Sequence, residues 1–184
     1  MAEYYLISQL PSLDGISENT PLPITEERFA ELCNRFVGKR AQEMLSKLTL
    51  SPPKNSENSG SALIDAWNES ERSLRFALGK VRAEKMKKPF DTENRIFPVE
   101  YIKAASAAIE IENPMEAEKY LNSYRLEILE TLRPMDSFSE DYIFYYGLKL
   151  KLLLRIRQFD TKSGEKAYKN IYDSILNGDR LEAK

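Results

Sequence analysis

The side chains most able to do chemistry are concentrated in one charged stretch, AWNESERSLRFALGKVRAEK, at residues 66–85. It contains the single tryptophan of the chain, Trp67. Cations clustered beside aromatic rings are typical of nucleic-acid sites, because the rings stack on bases and the cations neutralise phosphates. The cations of this stretch that could contact a partner are Arg72, Arg75, Arg82 and Lys85.

Helical spacing favours a structural interpretation of the same stretch. Trp67, Leu74 and Leu78 recur on one face of a helix, which is typical of a buried stripe. Glu71 lies on that face and precedes Arg75 by four residues, the preferred orientation for an ion pair within a helix. We therefore expect the stripe and Glu71 to be structural, and the cations not needed for pairing to face solvent or a partner.

The composition removes most catalytic and metal-binding chemistries. The chain has no histidine and one cysteine, Cys33, so we expect neither a histidine-activated nucleophile nor a zinc site. Its seven glycines form no phosphate-binding loop. The pairs Glu110–Glu112 and Glu116–Glu118 are spaced so that their members point to different sides of a helix. We expect no catalytic residue, no cofactor, no metal and no small-molecule substrate.

One catalytic alternative stays open. An enzyme could use carboxylate and arginine side chains alone, without histidine, cysteine or a metal. Such an enzyme needs a concave polar pocket in which these groups converge on a substrate. A structure without such a pocket would remove this alternative.

The chain divides at a polar stretch with two adjacent prolines, SPPKNSENSGS, at residues 51–61. Its composition predicts a flexible linker. Residues 1–50 before it are predicted to form an N-terminal helical segment. Residues 62–178 after it are predicted to form the main helical bundle, and residues 179–184 a frayed tail.

Hydrophobic periodicity near 3.6 residues predicts about five helices in the main bundle. They are expected at about 62–87, 98–111, 113–132, 138–158 and 163–178. The fourth is apolar nearly all round its middle and should therefore lie at the centre. The predicted fold class is all-α: a helical bundle of about five helices with a linked N-terminal helical pair.

Nothing in the sequence predicts export or membrane insertion. The first residues, MAEYYLISQLPSL, lack the basic region and the long apolar run of a signal peptide. The longest apolar run, at residues 143–154, is interrupted by Gly147, Lys149 and Lys151, so no direct membrane span is expected. The net charge of −2 gives no overall attraction to nucleic acid or anionic lipid. We expect a cytoplasmic location.

Several stretches, in the same order, resemble a bacterial family known as a domain of unknown function, whose genes lie among those of V/A-type ATP synthases. The stretches are YYLISQLPSL with ITEERFAELC, WNESERSLRFALGKVRAEK, NPMEAEKYLNSYRLEILETL and YYGLKLKLLLRIRQFDTKSGEKAYKNIYDSIL. The acidic, aromatic and Leu-Arg character of the second is also similar, more faintly, to the helical socket protein of V/A-type ATPases, which joins the rotor shaft to the membrane ring.

The resemblance implies a non-catalytic accessory or central-stalk-like subunit that acts as a helical structural coupler. It implies V/A-type ATPase subunits as partners, and a position peripheral to the inner membrane through the complex. The alternative is a free-standing helical adaptor, or a nucleic-acid-binding module that uses the basic helix at residues 72–88. Nucleic acid is not the expected partner.

Overall fold

The computed structural model of the protein describes residues 2–16, 20–53, 58–90, 98–158, 164 and 168–175. Within these ranges the fold is all-α, as predicted, and contains no strand. The helices are α1 (Ala2–Gln9), α2 (Glu26–Phe36), α3 (Lys39–Lys47), α4 (Ala62–Lys85), α5 (Val99–Glu110), α6 (Pro114–Thr131) and α7 (Glu140–Gln158). Residues 168–175 are helical as well.

Polar side chains fix the starts of three helices. Thr25, Ser61 and Asn113 precede α2, α4 and α6, and the side chain of each accepts a hydrogen bond from a backbone N–H in the first turn. These bonds satisfy donors that a helix leaves unpaired at its start. At the other end of α4, Lys87 has a left-handed φ of 53°, and the next residue's N–H bonds back to the carbonyl of Ala83 at 2.9 Å. The chain turns sharply away there.

Small residues allow α5 to pack closely against α4. Ala104, Ala105 and Ala108 of α5 are buried against the second half of α4. This second core cluster is formed by Leu74, Ala77, Leu78, Ala104, Ala105, Ala108 and Leu121. Because α6 contributes Leu121, the cluster joins three helices into one layer.

Helix α7 is the central element, as its sequence predicts. All eight positions from 143 to 150 are buried, so neighbours cover the helix on every side. The first core cluster is built around it and includes Trp67 of α4 and Leu129 of α6. A helix without a polar face in its middle is stable only in such an enclosed position.

The N-terminal segment packs on the same central helix. Leu6, Leu32 and Leu48 belong to the first core cluster together with the buried side chains of α7. Gly147 makes close packing possible, because a Cβ added there would lie 3.2 Å from the Leu48 side chain and 3.3 Å from the ring of Phe29. A side chain at position 147 would force Leu48 or Phe29 to move, so this packing favours glycine there.

The predicted division into an N-terminal segment, a linker and a main bundle stays a prediction. Linker residues 54–57 and the predicted frayed tail lie outside the described residues, as do both ends of the last predicted helix. What the described residues establish is that one apolar cluster contains side chains from both sides of the linker.

A buried lysine ties the N-terminal segment to α7. The ammonium of Lys149 lies 2.6 Å from Oδ1 of Asp14 and 2.6 Å from Oε1 of Glu130. One turn earlier, the Tyr146 hydroxyl donates to the carbonyl of Pro11 at 2.8 Å. Burial by itself lowers the pKa of Lys149, but its hydrogen bonds to Asp14, Glu130 and the Tyr145 hydroxyl outweigh burial and raise the pKa. Lys149 is therefore charged at neutral pH.

We expect Asp14→Asn to destabilise the protein at neutral pH and to have no such effect in acid. The hydrogen bond from Lys149 lowers the pKa of Asp14, despite the opposing effect of burial. The carboxylate therefore stabilises the folded state above its unfolded pKa of about 3.9, and this contribution is lost as pH falls through the lowered folded pKa. Urea midpoints of wild type and variant should differ at about pH 7 and converge at about pH 2.

The control for this experiment is Glu112→Gln, which removes an exposed carboxylate outside the Lys149 site. Its urea midpoint should follow that of the wild type at both pH values. If the two variants respond to pH in the same way, Asp14 has no special role in holding the N-terminal segment.

Candidate functional site

A buried ionic network forms around Glu71 in the middle of α4. The Glu71 side chain is 2% exposed. Its carboxylate accepts from Nε of Arg75 at 2.9 Å, and from Nε and Nη2 of Arg125 at 3.0 and 3.2 Å. The Arg125 contact is bidentate, the strongest geometry for a guanidinium and a carboxylate. The predicted pair of Glu71 and Arg75 is thus present, but the buried partner comes from α6.

The network continues from α6 to α7. Arg125 also donates to Asn122 at 3.0 Å and to Glu118 at 3.3 Å. The same Glu118 oxygen accepts from Nη2 of Arg155 on α7 at 2.6 Å. We call this set the Glu71 network; its members are Glu71, Arg75, Glu118, Asn122, Arg125 and Arg155. Charged hydrogen bonds thereby connect α4, α6 and α7.

The Glu71 network lies between the two apolar clusters. Trp67, one turn before Glu71, belongs to the first cluster, whereas Leu74 and Leu78 belong to the second. All three are buried, with Trp67 only 1% exposed. The apolar stripe predicted along α4 therefore serves two separate cores, and Glu71 marks the boundary. A polar layer of this kind penalises any sliding of the helices, since sliding would leave buried charges unpaired.

The network carries more positive than negative charge. Three arginines face two carboxylates, and Nε of Arg155 is buried and has no hydrogen-bond partner among the described residues. Nε of Arg72 and the indole N–H of Trp67 are in the same condition. Buried donors without partners are uncommon in folded proteins.

Because its indole N–H has no partner among the described residues, Trp67 contributes apolar packing here and no hydrogen bond.

The cations proposed for partner binding are mostly occupied within the molecule. Arg72 is largely buried and pairs with Glu69 at 3.0 Å. Arg75 is 44% exposed and donates to the Ser51 hydroxyl at 3.1 Å in addition to Glu71. Lys85 is exposed, and its ammonium donates to the carbonyl of Ile109 at 3.2 Å. Arg82 is exposed near the end of α4. The four therefore do not form one open cationic surface.

The pairing of Glu71 with Arg125 could not be predicted from helical spacing. The two residues are 54 positions apart, and helical spacing relates only residues within one helix. The sequence does contain a signal. Arg125 lies four residues from both Leu121 and Leu129, and Glu71 lies four residues after Trp67 and three before Leu74. Two opposite charges, each on an apolar stripe, are candidates for a buried pair.

A second feature of functional interest is an exposed apolar helix face. The helical residues 168–175 carry large apolar side chains spaced by three or four positions, and each is at least half exposed. They are Tyr168, Ile171, Tyr172 and Ile175. The rings of Tyr168 and Tyr172 stack with centroids 6.1 Å apart. Contiguous exposed apolar faces of this kind are typical of protein-interaction surfaces.

The described residues contain no group of three or more His, Cys, Asp or Glu side chains that could hold a metal ion. None of the helices in those parts of the chain has the length and apolar character that a membrane crossing requires. Cys33 is buried in the first core cluster, and burial raises the pKa of its thiol to about 12. Its sulfur is therefore protonated and shielded from reagents at neutral pH.

Two comparisons found nothing similar: no curated protein and no solved structure matches the chain. A family model matches the second half, from residue 90 to residue 179. The match includes α5, α6, α7 and the helical residues 168–175, and two of the stretches that carry the resemblance noted above lie within it. The expected domain of unknown function is thus confirmed for this half, without a link to ATP synthase genes. The model that matches residues 90–179 is described as Protein of unknown function (DUF2764).

Proposed function

We propose that the protein is a non-catalytic accessory or central-stalk-like subunit of a V/A-type ATP synthase, acting as a helical structural coupler. The proposal rests first on the resemblance of its ordered stretches to a family encoded beside those enzymes. The DUF2764 domain at residues 90–179 is compatible with it. In this proposal the chain binds no nucleotide and performs no chemistry.

The observation that carries the proposal is the exposed apolar face of residues 168–175. Four large side chains at helical spacing remain in water in the isolated chain. Burying them against a partner helix or groove would remove a large apolar area from solvent, which is favourable at roughly 25 cal/mol per Å². A surface of this type favours a protein partner over a free-standing enzyme.

The interior of the bundle supports a mechanical role. The Glu71 network connects α4, α6 and α7 through charged hydrogen bonds, and Lys149 attaches the N-terminal segment to the same central helix. Sliding any of these helices would expose or unpair buried charge. A body held in this way transmits force between two partners with little internal deformation.

The test is affinity purification of the tagged full chain from its native cells in gentle detergent. We expect V/A-type ATPase subunits to be recovered with the wild type. Ile171→Asp places a charge in the centre of the exposed apolar face and should reduce that recovery at least tenfold, since central interface truncations commonly cost about 2 kcal/mol.

The matched control is Asn170→Asp, which adds the same charge on the opposite side of the same helix. It should leave recovery unchanged, and circular dichroism should show equal helix content in both variants. Absence of ATPase subunits from the wild-type sample would contradict the proposed function. Equal recovery with Ile171→Asp would contradict only the assignment of this face.

The alternative function, a helical adaptor or nucleic-acid-binding module, is favoured by the exposed cations at the end of α4. Arg82, Lys87 and Lys88 are all exposed there. A gel-shift assay at low and moderate salt tests it. Nucleic-acid binding that weakens with salt, and that Arg75→Ala together with Arg82→Ala removes, would support the alternative.

A further inference from the structure

A cavity of about 520 Å³ opens between α3, the segment after it, and the first half of α4. Its inner wall contains the buried side chains of Leu48, Ile64 and Asn68. The exposed side chains of Arg40 and Lys47 lie on its rim. This volume is within the range of pockets that hold small organic ligands, roughly 300–1,000 Å³. Nothing in the sequence indicates this pocket, because its walls come from separate segments.

Asn68 is the most informative residue of the cavity. The residue is 9% exposed, and its amide is not among the buried polar atoms that lack a partner within the described residues, so solvent in the cavity reaches the amide. No described residue bonds to this amide, so its two N–H donors and its carbonyl acceptor are available to a molecule in the cavity. An amide that lies against open space in a cavity is therefore placed to bond to whatever occupies that cavity.

The rim of the cavity carries a net positive charge. Within the described residues, Lys47 makes no ion pair, and Arg40 donates only a long bond of 3.5 Å to the carbonyl of Gly60. Gly60 has a left-handed φ of 86°, and a Cβ there would lie 2.6 Å from Nη2 of Arg40. The glycine therefore leaves room for this guanidinium. Glu43 also lies on the rim, so the net charge of the three side chains is +1.

Two hydroxyl groups on the cavity wall retain hydrogen-bonding capacity. The Ser51 hydroxyl oxygen accepts from Arg75 at 3.1 Å, so its own proton remains able to donate. The Thr49 hydroxyl donates to the carbonyl of Ser51 at 2.7 Å, so its oxygen remains able to accept. The lining thus combines apolar surface, a buried amide, hydroxyls and cations.

We propose that this cavity binds a small organic anion. The carboxylate or phosphate group of the ligand lies between Arg40 and Lys47, and its apolar body packs on Leu48 and Ile64. A polar atom of the body bonds to the Asn68 amide. The ligands expected to bind therefore share two features, one anionic group and a compact apolar body. This site is independent of the protein partner proposed above.

The test is a titration of the ¹⁵N-labelled full chain followed by NMR. The probes are phenyl phosphate and benzoate, with inorganic phosphate and benzyl alcohol as single-feature controls. We expect phenyl phosphate or benzoate to shift the side-chain amide of Asn68 and the backbone amides of Thr49 and Ser51. The probe that binds more tightly, phenyl phosphate or benzoate, identifies the preferred anionic group. Inorganic phosphate and benzyl alcohol should each bind at least tenfold more weakly.

Variants assign the interactions. Arg40→Ala and Lys47→Ala should each weaken binding about threefold, and Glu43→Gln should strengthen it by a similar factor, as expected for exposed charges. Asn68→Leu should weaken binding about tenfold while leaving the melting temperature unchanged or higher, because no described protein group bonds to this amide and leucine adds apolar surface to the wall. Lys103→Ala, a lysine on α5 away from the cavity, is the matched control and should have no effect.

Three results would overturn the proposal. The first is the absence of shifts at Asn68 with either anion at millimolar concentrations. The second is binding of benzyl alcohol as tight as that of phenyl phosphate, which would show that charge has no role. The third is a clear loss of stability in Asn68→Leu, which would make the amide a structural group.

Discussion

Replacing Arg125 with methionine is expected to lower the free energy of unfolding by about 3–5 kcal/mol. Arg125 makes the bidentate contact to the buried Glu71 carboxylate, and methionine fills a similar volume without charge. The substitution leaves Glu71 with Arg75 alone, whose side chain is 44% exposed. It also removes a donor from Glu118 and Asn122. A buried carboxylate with one partly solvated partner accounts for the large expected loss.

The decisive measurement is a double-mutant cycle. Glu71→Met should also destabilise the protein, because it leaves the guanidinium of Arg125 short of a carboxylate. The double variant, Glu71→Met with Arg125→Met, should cost less than the sum of the single variants by about 2 kcal/mol, since both buried charges are then removed together. Urea unfolding followed by circular dichroism gives all three values.

The control for the cycle is Arg82→Met, an exposed arginine on the same helix. Its effect should stay within about 0.5 kcal/mol of zero. Strictly additive costs for the Glu71 and Arg125 variants would mean that the two side chains do not act as a pair. Costs below about 1 kcal/mol for each would mean that water reaches the network.

Trp67→Ala is expected to cost about 3–5 kcal/mol, as large truncations in well-packed cores do. The side chain is 1% exposed and packs in the first core cluster, beside the buried middle of α7. Trp67→Phe should cost less, about 1–2 kcal/mol, because no group in the described part of the chain accepts a hydrogen bond from the indole N–H. The comparison separates the value of packing from that of polar contacts.

Both tryptophan variants need a readout that does not depend on tryptophan fluorescence, so circular dichroism in urea is again suitable. Phe138→Ala removes an aromatic ring that is half exposed, and serves as the control with an expected loss below about 1 kcal/mol. A Trp67→Ala loss in that same small range would show that the tryptophan is accessible and would revive its interpretation as a stacking residue.

Local features of the fold, such as the positions of the helices, could be predicted from the sequence. Caps, turn residues and apolar spacing act within about one helical turn, so the helices and the buried face of α4 are encoded in short stretches. Trp67, Leu74 and Leu78 are buried as predicted. Their division between two clusters could not be predicted, because it depends on which helices cover each half of α4.

The long-range contacts in the candidate sites could not be predicted from the sequence. Glu71 and Arg125 meet across 54 residues, and the cavity brings Lys47 together with Asn68 across the linker. Pairing of this kind is determined by how whole helices pack against one another. A single sequence can reveal a charged residue on an apolar stripe, but it does not reveal the residue that pairs with it. Asn68 illustrates this limit, since an asparagine in a charged helix carries no sign of its burial.

The contact between Asp14 and Lys149 has a consequence for biosynthesis. The two residues are separated by 135 positions, so the N-terminal segment is made long before the helix that it packs on. At about 5–20 residues per second, the ribosome needs about 7–27 s to synthesise the 135 residues from Asp14 to Lys149. During that time the apolar faces of α2 and α3 have no central helix to cover them. We expect the nascent chain to be most vulnerable to aggregation, and most dependent on chaperones, in this interval of translation.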